Sequence, residues 1–230
     1  MPQEIKTIRL SLPFRLGSVN CYLINTGDGF VLIDTGSLNQ RARLEDELQS
    51  AGCRPGNLKL VVITHGDFDH TGNSAYLRTK YDAKIAMHAG DAGMAERGDM
   101  FWNRKKGNAL IRALAPVLFG FNQSVRFKPD ILIEDDVSLS GYGFDAIVYS
   151  IPGHSLGSIG ILADGGNLFC GDLFVNTAGP AFSSIMDDLT MARASLEKLK
   201  KLAIHTVYPG HGASFSWQDL LDRMNHTNRA

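Results

Sequence analysis

At 230 residues, with 44% hydrophobic and 20% charged side chains, the chain has an ordinary globular composition and enough apolar material for a sizeable core. A formal charge of -1 without a basic stripe argues against nucleic acid or an anionic membrane as a partner. No stretch is apolar for long enough to span a bilayer, and Met1-Pro2-Gln3-Glu4-Ile5-Lys6 lacks the apolar heart of a secretion signal, so a cytoplasmic location is expected.

Ile5–Leu10 and Val19–Ile24 read as strands, and Gly27-Asp28-Gly29 as a turn. Phe30–Ile33 is a fully apolar run ending at Asp34-Thr35-Gly36. Leu38 to Ala51 has helical spacing, with Leu44 and Leu48 on one face and Gly52 and Pro55 closing it. The strand Leu60–Ile63 runs into Thr64-His65-Gly66-Asp67-Phe68-Asp69-His70. A second helix is expected over Thr71 to Tyr81 and another strand over Lys84–Met87. This alternation implies some parallel pairing, with helices covering a sheet.

The segment from Gly90 to Gln123 departs from the pattern. It holds Met94, Met100, Phe101, Trp102, Leu110, Leu114, Phe119 and Phe121, broken by Gly98, Gly107 and Pro116. It is expected to be a helical insertion, either a lid or a peripheral helical pair, and its apolar residues could also serve a homodimer. The basic run Arg104-Lys105-Lys106 within it reads as a solvated loop. Short strands follow at Ile131–Ile133, Val137–Leu139, Ala146–Ser150, Ile159–Leu162 and Leu168–Cys170. Asp187 to Leu202 is a helix with Leu189, Ala192, Leu196 and Leu199 on its apolar face, Val207-Tyr208 a last strand, and Trp217 to Met224 a closing helix. Two comparable β-rich halves without a linker suggest one domain, 1–230, with an internal pseudo-repeat.

The chemistry concentrates at strand ends. His65, Asp67, Asp69 and His70 crowd one loop, where the two carboxylates would repel unless a cation stood between them. His154 and His211 occupy matching Pro-Gly-His turns, and Asp172 follows the strand at Leu168–Cys170. Imidazole and carboxylate are the donors that Zn²⁺ and its first-row neighbours favour, so these seven residues point to a two-metal site. His88, His205 and His226 match no ligand position. Ser155 lacks a nucleophile-elbow context, and no cysteine has a histidine beside it. The three cysteines form no CxxC; Cys21 and Cys170 lie in strand patterns as small buried hydrophobes, which fits a reducing compartment.

In their order, Asn20–Ile24, Asp34-Thr35-Gly36, the His65–His70 loop, Pro152-Gly153-His154-Ser155, Gly171-Asp172 and Pro209-Gly210-His211-Gly212 resemble the metallo-β-lactamase fold superfamily across nearly the whole chain. The resemblance implies an α/β (α+β) four-layer αββα sandwich with the metals at one edge. It implies one ion on His65, His154 and residue 67, a second on Asp69, His70 and His211, and Asp172 bridging both. Asp34 would orient the metal loop without ligating. The superfamily's usual loop reads His-x-His-x-Asp-His, whereas Asp67 here replaces the middle histidine. A harder, charged ligand tilts preference from Zn²⁺ towards Fe or Mn.

Two ions sharing a water would lower its pKa from about 15.7 towards about 7, and Asp69 could relay the proton to a leaving group. The expected activity is therefore hydrolysis of a small-molecule ester, thioester, lactone or phosphoester. A β-lactam role is disfavoured by the missing secretion signal, and a glyoxalase II role by the short segment after His211. A lactonase subgroup with tyrosine after the bridging aspartate is disfavoured by Leu173-Phe174-Val175. The alternatives are a non-haem iron oxidoreductase acting on O₂, NO or a persulfide, for which Asp67 is the support, and a non-enzymatic sensor.

Overall fold

Strand β4 (Leu58–Ile63) shows how the sequence selects the architecture: Val61 and Ile63 face one side of a sheet, Leu60 and Val62 the other, and all are fully buried. A strand covered on both faces must be apolar throughout. The computed structural model describes residues 3–104 and 125–227. Its elements are, in order, β1 (Glu4–Ser11), β2 (Ser18–Asn25), β3 (Phe30–Ile33), α1 (Arg41–Ser50), β4, the single turn α2 (Phe68–Thr71), α3 (Ser74–Tyr81), β5 (Lys84–His88) and α4 (Ala89–Arg97). They continue with β6 (Ile131–Ile133), β7 (Val137–Ser138), β8 (Ala146–Ser150), β9 (Ile159–Ala163), β10 (Asn167–Gly171), β11 (Phe174–Val175), β12 (Ala181–Phe182), α5 (Leu189–Leu199), β13 (Thr206–Pro209), β14 (Phe215–Ser216) and α6 (Trp217–Thr227).

Six strands form the first sheet in the order β1-β2-β3-β4-β5-β6, antiparallel up to β3 and parallel from there. The second six-stranded sheet runs β14-β13-β10-β9-β8-β7, with β10 and β13 its parallel pair. Leu44, Leu48, Leu77 and Tyr81 bring α1 and α3 onto the outer face of the first sheet. Ala192, Leu196 and Leu199 of α5, with Trp217 and Leu220 of α6, cover the outer face of the second. Between the sheets lie Tyr22, Ile24, Ile33, Val62, Val148, Ile161 and Phe169. This is the αββα sandwich that the sequence resemblance implies.

Helix limits differ from the periodic reading at several ends, two of them with a visible cause. The expected helix over Thr71 to Tyr81 is broken at Gly72 and Asn73, because Asn73 Nδ2 donates to Thr35 O (2.8 Å) and Ser37 O (3.0 Å) and pins the chain to the β3 end. The helix expected from Asp187 begins at Leu189, where Asp188 caps the amides of Thr190 (2.8 Å) and Met191 (3.0 Å). Among the described residues, no helix is long and apolar enough to cross a membrane.

Phe169 is fully buried, stacked on Tyr208 at 5.0 Å between ring centroids and tilted against Tyr22 at 5.1 Å. Phe169→Ala should cost about 3–5 kcal/mol and lower the urea midpoint accordingly, whereas an unchanged midpoint would show that the space between the sheets can collapse around the loss.

Candidate metal centre

The site begins with one carboxylate at the end of β3. Asp34 sits in the left-handed region (φ 60°) and is buried. Its Oδ1 accepts from Thr64 N (2.8 Å), and its Oδ2 accepts from the Thr64 hydroxyl (2.7 Å) and from His70 Nδ1 (2.7 Å). Thr35 adds a second clamp, its backbone N–H and its hydroxyl both donating to His70 O at 2.8 Å. The β4 end and α2 are thereby fixed to the end of β3. Asp34 is thus an orienting group, as the resemblance implies.

The same logic fixes all four candidate histidines. His70 Nδ1 meets a carboxylate, His154 Nδ1 meets Ile185 O (2.7 Å), and His211 Nδ1 meets Ser18 O (2.8 Å). These oxygens can only accept, so Nδ1 carries the proton in each ring. His65 Nδ1 lies 3.0 Å from the Thr64 hydroxyl oxygen, whose own proton is committed to Asp34, so it too must donate. Each Nε2 is the ring atom left to face away from the anchor, and it becomes a lone-pair donor when its proton leaves. That is how imidazoles are oriented for metal binding.

Those nitrogens converge with carboxylate oxygens. The ligand-type atoms of His65, His154 and Asp172 all lie within 4.8 Å of one another, and so do those of Asp69, His70 and His211. Asp172 stands between the groups, Oδ1 3.4 Å from His70 Nε2 and Oδ2 3.1 Å from His211 Nε2. Asp69 Oδ2 is 3.4 Å from His211 Nε2, and Asp67 Oδ2 lies 3.0 Å from His154 Nε2 and 3.7 Å from His65 Nε2. All seven sequence-predicted residues therefore meet at one edge of the sandwich. Asp67 precedes α2 in the capping position, yet its side chain makes no capping bond. His65 Nε2, His70 Nε2 and Asp172 Oδ1 are buried with no hydrogen-bond partner, a costly arrangement that a cation would relieve.

The Pro-Gly-His turns owe their glycines to space. A Cβ at Gly210 would collide with Asp172 Oδ1 and His70 Cε1, and one at Gly153 would come within 2.6 Å of Ala192 Cα. Asn20 Nδ2 donates to Pro209 O (3.0 Å) and Gly212 O (2.7 Å), and the Tyr22 hydroxyl to Pro209 O (2.6 Å), so β2 holds the His211 turn.

Sequence reasoning misses three residues, Asp91, Arg104 and Asp187. Asp91, fully buried in the first turn of α4, accepts from Gly66 N (2.9 Å), Gly157 N (2.8 Å) and the Ser155 hydroxyl (2.6 Å), which joins the His65 loop to the His154 turn. Arg104 reads from its neighbours as part of a solvated basic run. Its side chain is instead 4% exposed, with Nη1 2.7 Å from Asp67 Oδ1 and Nε 2.9 Å from Asp187 Oδ2. Two carboxylates far away in sequence draw it inward. The expected insertion is thus anchored at its start: Ala92, Met94 and Ala95 of α4 are buried, and the turn after it carries Arg104 to the site. The rest of that expectation, 105–124, lies outside the described residues. His88 caps α4 by accepting from Gly90 N (3.0 Å), and His205 Nδ1 pairs with Gly165 O (3.1 Å), so neither joins the cluster. All three cysteines are buried free thiols.

A cluster of oriented imidazoles and carboxylates at the edge of an αββα sandwich defines a candidate metal-dependent enzyme. The chain belongs to the metallo-beta-lactamase superfamily, whose family pattern matches residues 14–211. It is 30% identical over 152 residues to a hydroxyacylglutathione hydrolase from Shewanella loihica, an alignment covering 66% of this chain and 46% of that protein. The chain thus spans about half the length of this relative. The crystal structure of TTHA1623 in a di-iron-bound form superposes with a TM-score of 0.70 at 28% identity, covering 94% of this chain and 96% of that one. The metallo-beta-lactamase family protein TTHA1429 from Thermus thermophilus superposes at 0.72 with 22% identity, over 98% of this chain and 79% of that one, and shares the fold.

The charges shift one another. Burial opposes protonation of His70 and His211, but Asp34, Asp172 and Asp69 raise the first to about 10, and Asp172 and Asp69 raise the second to about 9. Burial would raise the Asp172 carboxyl, yet His211 and His70 hold it far below the carboxylate range, while burial with Asp172 and Asp67 alongside lifts Asp69. A histidine raised above its unfolded value of about 6.5 stabilises the fold fully below that pH and loses the contribution as pH rises through the folded value. Chelator-treated protein should therefore melt at progressively lower temperature from about pH 7 to pH 10 by calorimetry, and a flat profile would contradict this coupling. Divalent metal added at neutral pH should release protons, measurable in buffers of different ionisation enthalpy.

Proposed function

We propose that the chain is a metal-dependent hydrolase that cleaves a small-molecule ester, thioester, lactone or phosphoester with two divalent ions, Zn²⁺ foremost. The observation that carries this reading is the convergence of buried, unpartnered His65 Nε2, His70 Nε2 and Asp172 Oδ1, each on a side chain whose other polar atoms are anchored or face a second ligand. The donor set fits the group: His65, His154 and Asp172, with Asp67 beside them, would hold one ion, and Asp69, His70, His211 and Asp172 the other. Bound divalent ions supply an acidified water and an electrostatic sink for the charge developing on the cleaved carbonyl or phosphoryl group.

The chain's own residues provide the rest. Asp69, beside His211 and at the meeting point of the two groups, is the proton carrier in this reading. Ser155 is not a rival nucleophile, because its buried hydroxyl donates to Asp91. Beside His154 opens a cleft of about 600 Å³ lined by Asn103, Arg104, Leu156, Asp187 and Leu189, a size suited to a small molecule. Leu156 and Leu189 are half exposed there, which favours a substrate with an apolar portion. The named activity of the Shewanella relative makes thioesters the first class to test. The di-iron-bound relative favours a second reading, in which iron fills the same positions and the chemistry is that of an oxidoreductase.

His154→Ala and Asp172→Ala should each lower the metal content and reduce kcat/KM for a hydrolysed thioester or ester at least about a hundredfold; unchanged content and rate would sink the assignment. Asp34→Asn keeps a residue that tolerates the left-handed backbone but halves the carboxylate's accepting capacity. It should weaken metal binding by about 10- to 100-fold with the circular dichroism spectrum retained.

A further inference from the structure

Arg104 poses a problem that the hydrolase reading does not solve. Its guanidinium is buried and always charged, and it lies against the residues assigned to the first metal position. A fixed cation there should repel a divalent ion. Yet Nη1 is 2.7 Å from Asp67 Oδ1, in an ion pair without hydrogen-bond alignment, while Nε is bonded to Asp187 at 2.9 Å and Nη2 stands 3.5 Å from His154 Nε2. The two oxygens of Asp67 thus face different ways. Oδ1 meets the guanidinium, and Oδ2 points between His154 Nε2 (3.0 Å) and His65 Nε2 (3.7 Å). Both rings have Nδ1 committed as a donor, so Nε2 is the atom each offers to the site. Oδ2 and the two Nε2 atoms thus share one space, with His65 Nε2 unpartnered in it, and the Arg104 guanidinium lies beside that space, on Oδ1 and 3.5 Å from His154 Nε2, without filling it.

We propose that Asp67 and Arg104 form a charge-neutral ligand pair at the first metal position, Oδ2 facing the ion while the guanidinium on Oδ1 cancels the charge that the carboxylate adds. The pair gives the position the net charge of a neutral imidazole. Arg104 is then a positioning residue that sets metal affinity and preference, and Asp187 orients it from the cleft side. It offsets the harder, iron- and manganese-seeking character expected of Asp67 alone. This inference rests on the metal-centre reading above.

Charge arithmetic separates it from a merely structural role. Competitive titration of Zn²⁺ against a chelating dye at neutral pH should resolve the first position in wild type and variants. Arg104→Met leaves Asp67 uncompensated and should tighten Zn²⁺ there about tenfold or more. Asp67→His removes the ligating carboxylate and leaves the guanidinium paired with Asp187 alone, and should weaken Zn²⁺ there. The double variant D67H/R104M restores neutrality and should return to within about threefold of wild type, and Arg104→Lys should stay near wild type. In Mn²⁺ against Zn²⁺ competition, Arg104→Met should take up a larger share of Mn²⁺. If Arg104→Met, folded by circular dichroism, leaves the first affinity unchanged or weakens it, the pair is refuted while the metal centre stands. If wild type binds no metal at all, the metal centre falls and the pair with it.

Discussion

The Asp34 carboxylate is the constraint on which the rest of the site depends. It holds a backbone amide, a hydroxyl and an imidazole of the metal loop at 2.7–2.8 Å in a buried setting. Left-handed backbone at a non-glycine residue costs about 1–2 kcal/mol, whereas each buried bond to a charged acceptor contributes about 1.5–3 kcal/mol, so three bonds hold the strain easily. Through Thr64 the same carboxylate determines which nitrogen of His65 is protonated. One side chain thereby orients two of the four imidazoles, and it lies where the parallel strands β3 and β4 end side by side.

Further ties reach the other loops. Asp91 joins the His65 loop to the His154 turn, and Asn20 with Tyr22 joins β2 of the first sheet to the His211 turn of the second. The candidate ligands come from both sheets, so the site exists only while the sandwich is closed, and the fully buried layer between the sheets is as much part of the site as they are. Within the cluster the carboxylates push His70 and His211 up, and those histidines in turn push Asp172 down.

Much of this is legible in the sequence, for a physical reason. The seven converging residues each follow a strand, and a strand buried on both faces announces itself as an uninterrupted apolar run, as Leu60–Ile63 does. Asp34 is legible as an orienting group through its place in a recognisable order of motifs. Arg104, Asp91 and Asp187 are not, because their roles are defined by partners far away along the chain: Arg104 sits beside two lysines that suggest solvent, while the carboxylates that bury it lie at 67 and 187. The short strands β11, β12 and β14 escape a sequence reading too. Each has only two residues, too few for a period to show.

The proposed hydrolase would hold one ion among His65, Asp67, His154 and Asp172 and another among Asp69, His70, His211 and Asp172. Anomalous X-ray diffraction from crystals of protein purified without added metal or chelator tests this most directly, with data collected across the zinc and iron absorption edges. Two anomalous peaks are predicted, one at each of those points. A map without a peak among these side chains, or with its ion bound elsewhere, would contradict a metal centre at this edge of the sandwich.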